Sequence, residues 1–271
     1  MSALPSPSPD TALRLLQAVY REALAPVTEQ LFASARIAPG QRVLDVGSGA
    51  GDTAVLAAER VGAAGFVLAT DASPEVVQSL VERLGTLGSG HRVAAEMATA
   101  EQLALQPGSF DVALARNCVM YFRDLPRACR NLHLAMRPGG RFVASVYGPL
   151  EREPFHSIPI AAVRRRREVR APYPDYVQAF RVGADAVERA LRGAGFAWVE
   201  RHAVVVGRTF QSVEYAIATL RHSRSLAELL SQLPSSEIDD AWIDIAVGFR
   251  EYESAAGLHL PGEQIVLTAV K

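Results

Sequence analysis

The chain has 271 residues, a formal net charge of −1 and 49% hydrophobic residues, which suffices for one sizeable core and leaves no basic excess of the kind that marks a nucleic-acid-binding surface. Cys118 and Cys129 have no CxxC spacing, so they suggest neither a disulfide framework nor a zinc site and suit a reducing cytoplasm. No apolar run approaches the roughly 20 residues of a membrane span, and the Ser- and Pro-rich stretch Met1 to Asp10 lacks the regions of a signal peptide and reads as a disordered leader.

From Asp10 onward, Leu16, Val19, Tyr20, Ala23, Leu24 and Val27 recur at helical spacing. Pro39-Gly40 closes that helix before a first strand at Arg42 to Val46. A second strand, Phe66 to Thr70, ends in Asp71; Ser73-Pro74-Glu75 then supplies an N-cap, an N1 proline and an early acid for a helix with Val77, Leu80, Val81 and Leu84 inward. His91 to Ala95 reads as a third strand and Phe110 to Ala115 as a fourth, apolar as a strand covered on both faces is. A helix from Asp124-Leu125-Pro126 to Met136 ends at Arg137-Pro138-Gly139-Gly140, and Arg141 to Tyr147 makes a fifth strand. This alternation predicts right-handed crossovers and a doubly wound α/β sheet.

Beyond Tyr147 the pattern changes. Residues 148 to 182, rich in proline and arginine, read as an irregular or helical excursion. Gly183 to Ala194 resumes as a helix, Phe196 to Val206 as a strand and Gln264 to Val270 as the last strand. The mostly helical stretch from Gln211 to about Gly257 predicts an insertion packed over the ligand edge of the sheet.

The most informative segment joins the first strand to the next helix. Gly47, Gly49 and Gly51 follow an in-strand acid, Asp45, at a spacing that differs from the G-x-G-x-x-G of dinucleotide sites. A carboxylate at the mouth of such a turn repels a pyrophosphate and attracts an ammonium-bearing ligand. A plain strand-to-helix connection also uses glycines, and an acid such as Asp71 before Ser-Pro also closes helix entries, so both bland readings stand beside the sharp one.

Asp-x-Gly-x-Gly-x-Gly at the end of a first strand resembles the glycine motif of class I S-adenosylmethionine (SAM)-dependent methyltransferases. Four further stations follow in the family's order: Asp71, Met97 to Leu103, Ser109 to Asp111 with Asn117 to Phe122, and Leu134 to Gly140. They most resemble the ubiquinone/menaquinone-type C-methyltransferases and related small-molecule enzymes. The resemblance implies a Rossmann-like, seven-stranded, mostly parallel sheet with an antiparallel last strand. It also implies a single domain over 11–271 with helical lid elements at 11–36, 148–182 and 208–260. SAM is the implied cofactor, held by Asp45, Gly47, Ser48 and Gly49 at the turn, Asp71 and Ala72 at the ribose, Thr99 and Ala100 at the adenine, and Arg116 and Asn117 in the loop beside the sulfonium. Thr99 stands where the family usually has Asp, which implies an uncharged and weaker adenine contact.

Methyl transfer from a sulfonium is an in-line displacement with a good leaving group, so it needs orientation and dehydration more than a strong acid or base. Tyr20, Met120, Tyr121, Phe122 and Phe155 are candidates for the acceptor pocket. His156 and the Tyr147 hydroxyl are candidate bases for a phenol or hydroxyl acceptor, with a purely structural role the rival reading for His156. Arg164 to Arg167 reads as a solvated helix face or as a cluster recruiting an anionic or carrier-linked acceptor. The resulting expectation is a cytoplasmic monomer or homodimer that methylates a small hydrophobic or aromatic metabolite of secondary or quinone-like metabolism, without nucleic-acid or membrane partners. Two rivals are a nicotinamide-dependent oxidoreductase, disfavoured by Asp45 and Gly51, and a methyltransferase-like scaffold that binds SAM while catalysing another reaction such as cyclisation.

Overall fold

The computed structural model describes residues 7–85, 92–171 and 173–271. The chain divides into two compact units. A sheet unit comprises Val27–Val146, Val182–Val204 and Ile265–Lys271; a helical unit comprises the stretch up to Pro26, Tyr147–Arg181 and Val205–Gln264.

The sheet unit is built on β1 (Arg42–Val46), β2 (Phe66–Asp71), β3 (Val93–Met97), β4 (Phe110–Arg116) and β5 (Met136–Tyr147), with the inner parts of β6 (Trp198–Phe210) and β8 (Gly257–Val270). Spatial order is β3-β2-β1-β4-β5-β8-β6, and the two-residue β7 (Glu253–Ser254) pairs with β8. The first five strands run parallel. The bonds Lys271 N to Gly140 O and Gly148 N to Glu263 O set β8 antiparallel to β5. The expected doubly wound, mostly parallel sheet is therefore present, its chain order reversing between β1 and β4 as such folds require.

Strands buried on both faces explain why Val43, Leu44, Val67, Ala69, Val112, Ala113 and Leu114 are solvent-free. Each buried valine or leucine among them stabilises the fold by about 1.5–3 kcal/mol relative to exposure. α2 (Asp52–Val61), α3 (Pro74–Gly85), α4 (Leu125–Ala135) and α7 (Ala184–Gly193) cover the faces. Two starts match their sequence signals: Ser73 Oγ accepts from Val76 N at 3.2 Å, and Asp124 Oδ1 from Arg127 N at 3.0 Å.

The helical unit gathers the first turns of α1 (Pro9–Ala35) with α5 (Pro154–Arg164), α6 (Asp175–Gln178), α8 (Val213–Leu220), α9 (Arg224–Leu230) and α10 (Ile238–Arg250). Phe155, Ile160, Val213, Leu226, Leu229, Ile245 and Phe249 form its own apolar core. Among the described residues no helix is long and apolar enough to cross a membrane.

Several boundaries differ from the sequence reading. β3 starts later and runs to Met97, because its pairing with β2 continues to Asp71; His91 lies outside the described residues. The Arg137–Gly140 stretch belongs to β5 rather than ending a helix: Met136 already pairs with Phe110, and a register shift between Phe110 and Val112 absorbs the extra residues. β6 and β8 are each longer than expected, because Gly257 approaches the Phe210 carbonyl and extends their antiparallel pairing. α1 begins at Pro9, inside the stretch read as a leader, whose first six residues lie outside the described ones.

Candidate functional site

β1 delivers Asp45 and Val46 to its carboxyl end, where the chain must turn at once into α2. Gly47, Gly49 and Gly51 take φ of 65°, 52° and 84°, a region that a Cβ disfavours. Their surroundings differ. A Cβ on Gly47 would lie 2.6 Å from Cys118 Cβ and one on Gly51 2.5 Å from Leu80 Cδ1, whereas one on Gly49 would meet nothing within 4 Å. Gly47 and Gly51 thus keep the turn packed, and Gly49 leaves bare backbone beside open space.

Two bonds tie the turn to β2: Ser48 N donates to Thr70 O at 2.9 Å and Gly49 N to Asp71 Oδ2 at 3.0 Å. Asp71 Oδ1 accepts from Ser73 N at 3.1 Å, so each Asp71 oxygen keeps a lone pair free. Asp45 is 1% exposed. Its Oδ2 accepts from Thr53 Oγ1 at 2.6 Å, while Oδ1 has no hydrogen-bond partner. Burial pushes its pKa up to about 6, against the opposing hydrogen bonds of Thr53 and Ser48.

A cleft of about 740 Å³ opens at the carboxyl ends of these strands. Its lining includes Val46, Gly47, Asp71, Ala72, the run Ala98 to Gln102, Cys118, Tyr121 and Phe122, with Arg123, Asp124 and Arg127. The structure therefore brings together Gly47, Asp71, Ala72, Thr99, Ala100, Tyr121 and Phe122, as candidates lining one cleft. Thr99 Oγ1 donates to Gln102 Oε1 at 3.2 Å. Met120 is fully buried in the turn after β4. Arg116 points elsewhere, its guanidinium bonded to Thr28 Oγ1 at 2.9 Å and to Asp52 Oδ2 at 3.3 Å. Asn117, at φ 53°, accepts from Ser145 Oγ at 2.7 Å and so fixes the loop after β4.

Cys118 and Glu101 lie inside stretches read from the sequence but were given no role of their own there. Cys118 occupies the space that the missing Gly47 side chain leaves, a tertiary contact that no spacing encodes. Glu101 Oε1 accepts from Arg123 N at 2.6 Å and Asp124 N at 3.2 Å, which joins the Ala98–Gln102 run to the start of α4.

The remaining candidates lie in the helical unit. His156 on α5 is 3% exposed and packs edge-on against Tyr147, ring centroids 4.9 Å apart, with Phe155, Tyr176 and Phe180 around it. Its Nδ1 lies 3.3 Å from Glu153 Oε2. Burial lowers its pKa to about 4, against the Glu153 hydrogen bond. Phe155 is fully buried, and Tyr20 meets it edge-to-face at 5.8 Å. Glu153 also holds Arg208 Nη1 at 3.2 Å, both side chains fully buried. This pair was missed, although Arg208 alternates with Val206 and Phe210 on the inward stripe of β6, where a charge stands out. Arg165 and Arg166 engage Asp244, and Arg167 donates to Gln232 O. Arg164 instead lines a cleft of about 780 Å³ with Ile160, Tyr173, Phe180 and Arg181.

Residues 37–166 match a protein family described as a methyltransferase domain. The chain is 31% identical over 187 residues to nocamycin O-methyltransferase of Saccharothrix syringae, covering 65% of this chain and 66% of that protein. It is 32% identical over 133 residues to the ubiquinone/menaquinone biosynthesis C-methyltransferase UbiE of Vibrio vulnificus, covering 45% and 50%. The chain thus spans half to just under two thirds of the length of these curated relatives. The YcgJ protein of Bacillus subtilis shares the fold, with a TM-score of 0.61 at 18% identity over 90% of this chain and 97% of that one.

Proposed function

Residues 37–166 belong to the class I SAM-dependent methyltransferases, and from that premise we propose that the protein transfers the methyl group of SAM to a small, hydrophobic or aromatic acceptor. The observation that carries this reading is the cleft where the glycine turn, Asp71 and the Ala98–Gln102 run meet.

The chemistry of the cleft fits SAM. A ribose diol calls for a carboxylate with lone pairs to spare, which Asp71 retains after binding two backbone N–H groups. An ammonium group calls for negative charge, and Asp45, next to the lining residue Val46 though not itself in the cleft wall, has a buried carboxylate oxygen without a partner. The Cβ-free backbone at Gly49 admits close approach. When bound, SAM supplies an electrophilic methyl group on sulfur. The residues of this chain would bind and orient: Asp71 at the ribose, Thr99 and the Ala100 backbone at the adenine, and Asp45 with the turn at the methionine portion. Tyr121 and Phe122 would exclude water from the acceptor side.

His156 takes a packing role in this reading rather than that of a base. With a pKa of about 4 and Nδ1 turned to Glu153, it would hold an abstracted proton weakly. Proton loss is left to the acidity of the acceptor.

Titration calorimetry with SAM, and with NADH as control, tests the reading. Micromolar SAM binding without NADH binding, followed by SAM consumption with an aromatic or hydrophobic acceptor, is the expected result. Absence of SAM binding would overturn it, and tight SAM binding without methyl transfer to any acceptor would favour the cyclising scaffold.

A further inference from the structure

Arg208 of β6 heads the fully buried side chains of the described residues in size. Its guanidinium lies 4.6 Å from the centre of the Phe155 ring and 5.6 Å from that of Tyr20. Nη1 is bonded to Glu153 Oε2, whereas Nε and Nη2 are buried without a partner of hydrogen-bond geometry. Buried unsatisfied donors are costly and rare, so each calls for an explanation.

The two idle donors are adjacent. Nε and Nη2 form one edge of the guanidinium, whose parallel N–H bonds match the two oxygens of a carboxylate. Glu153 cannot serve that edge, because Oε1 is taken by Glu263 N at 2.8 Å and Oε2 by His156 Nδ1 and Arg208 Nη1. The Tyr147 phenol interacts with the same guanidinium closely enough for a hydrogen bond to act on its pKa, yet neither Nε nor Nη2 has a partner at full hydrogen-bond geometry. Serving two carboxylates from two edges is within the capacity of five N–H donors. Phe155, His156 and Tyr176 are buried around the group, whereas Tyr20 and Tyr147 are half-buried.

We infer that the helical unit holds a recognition site for an aromatic or apolar carboxylate, whose two oxygens are gripped by Nε and Nη2 of Arg208 and whose body lies against the half-buried rings of Tyr20 and Tyr147. Burial keeps the Tyr20 and Tyr147 phenols protonated, as further donors. Identifying that carboxylate as the methyl acceptor rests on the proposed function; the binding site itself does not.

The test is titration of the whole protein with benzoate and 3-phenylpropionate against benzamide and 3-phenylpropionamide, in wild type and Arg208→Lys. The carboxylates should bind at least about tenfold more tightly than their amides in wild type, and Lys, which keeps the charge but not the fork, should cut that preference to about threefold or less. Equal binding of acid and amide, no carboxylate binding at millimolar concentration, or a preference that survives in Arg208→Lys would overturn the inference. Should Arg208→Lys fail to fold, the acid–amide comparison in wild type decides alone. A SAM titration of the same sample separates the two readings: SAM binding without carboxylate preference sinks only this inference, and carboxylate preference without SAM binding sinks only the methyltransferase reading.

Discussion

Asp45 meets opposing demands from stability and binding. Its folded pKa of about 6 lies above the ordinary carboxylate value of 3.8, so the folded chain binds the proton more tightly than the unfolded chain between those values. Stability from this group therefore rises as pH falls through 6, and at pH 8 the buried charge costs about 3 kcal/mol. Asp45→Asn keeps an acceptor for Thr53 and removes the charge. It should be more stable than wild type by about 1–3 kcal/mol at pH 8, a gain that fades by pH 4 in denaturant melts, and should bind SAM at least about tenfold more weakly. Equal stability at both pH values would show that Asp45 carries no buried charge. Asp71→Asn retains one acceptor oxygen but not the second, and should weaken SAM binding by about 1–3 kcal/mol in calorimetry; unchanged affinity would take Asp71 off the ribose. Asp45, the glycines and Asp71 were legible because strand ends, φ requirements and caps are local. Cys118 and Arg208 were not, because one is defined by the space opposite Gly47 and the other by an ion pair to a residue 55 positions away.

At the scale of elements, the cleft wall depends on how the Ala98–Gln102 run is fastened. Glu101 caps the two backbone N–H groups of Arg123 and Asp124, and Asn131 of α4 donates to the Ala100 and Glu101 carbonyls at 3.1 and 2.9 Å. The run carrying Thr99 is therefore anchored to α4 at both ends of that contact. Glu101→Ala should lower unfolding free energy by about 1–2 kcal/mol and speed amide exchange at Arg123 and Asp124, with SAM affinity falling through loss of a preformed wall. Unaltered exchange at those two amides would mean that the cap does not hold the segment. The first five strands were legible as apolar runs, apart from the bounds of β3 and β5, and the starts of α3 and α4 from their caps. The extension of β6 and β8 was not, since antiparallel pairing fixes their length and Pro261 and Gly262 inside β8 argue against a strand locally.

His156 of the helical unit and Asp45 of the sheet unit should respond to acid in opposite directions. In the helical unit, His156 faces Glu153, Arg208, Tyr147 and Tyr176, and its folded pKa of about 4 lies below the ordinary imidazole value of 6.5. The unfolded chain then binds the extra proton between those values, so the stability that neutral His156 secures is complete above pH 6.5 and drains away as pH falls towards 4, by up to about 3 kcal/mol. In the sheet unit, Asp45 faces Asp71 and Arg116, and its contribution runs the other way over nearly the same window. Acidification from pH 7.5 to 5 should therefore destabilise the helical unit, while in the sheet unit the gain at Asp45 is opposed by His133, whose pKa burial lowers. Amide exchange resolved by segment is the measurement: opening free energies in α5, α8 and α10 should fall between the two pH values while those in β1, β2 and β4 hold or rise. His156→Gln should abolish most of the fall in the helical unit, because it deletes the titration while filling similar space. A parallel drop in both units, or a fall that survives His156→Gln, would assign the acid response to other groups and show that the packed imidazole does not set the stability of the helical unit.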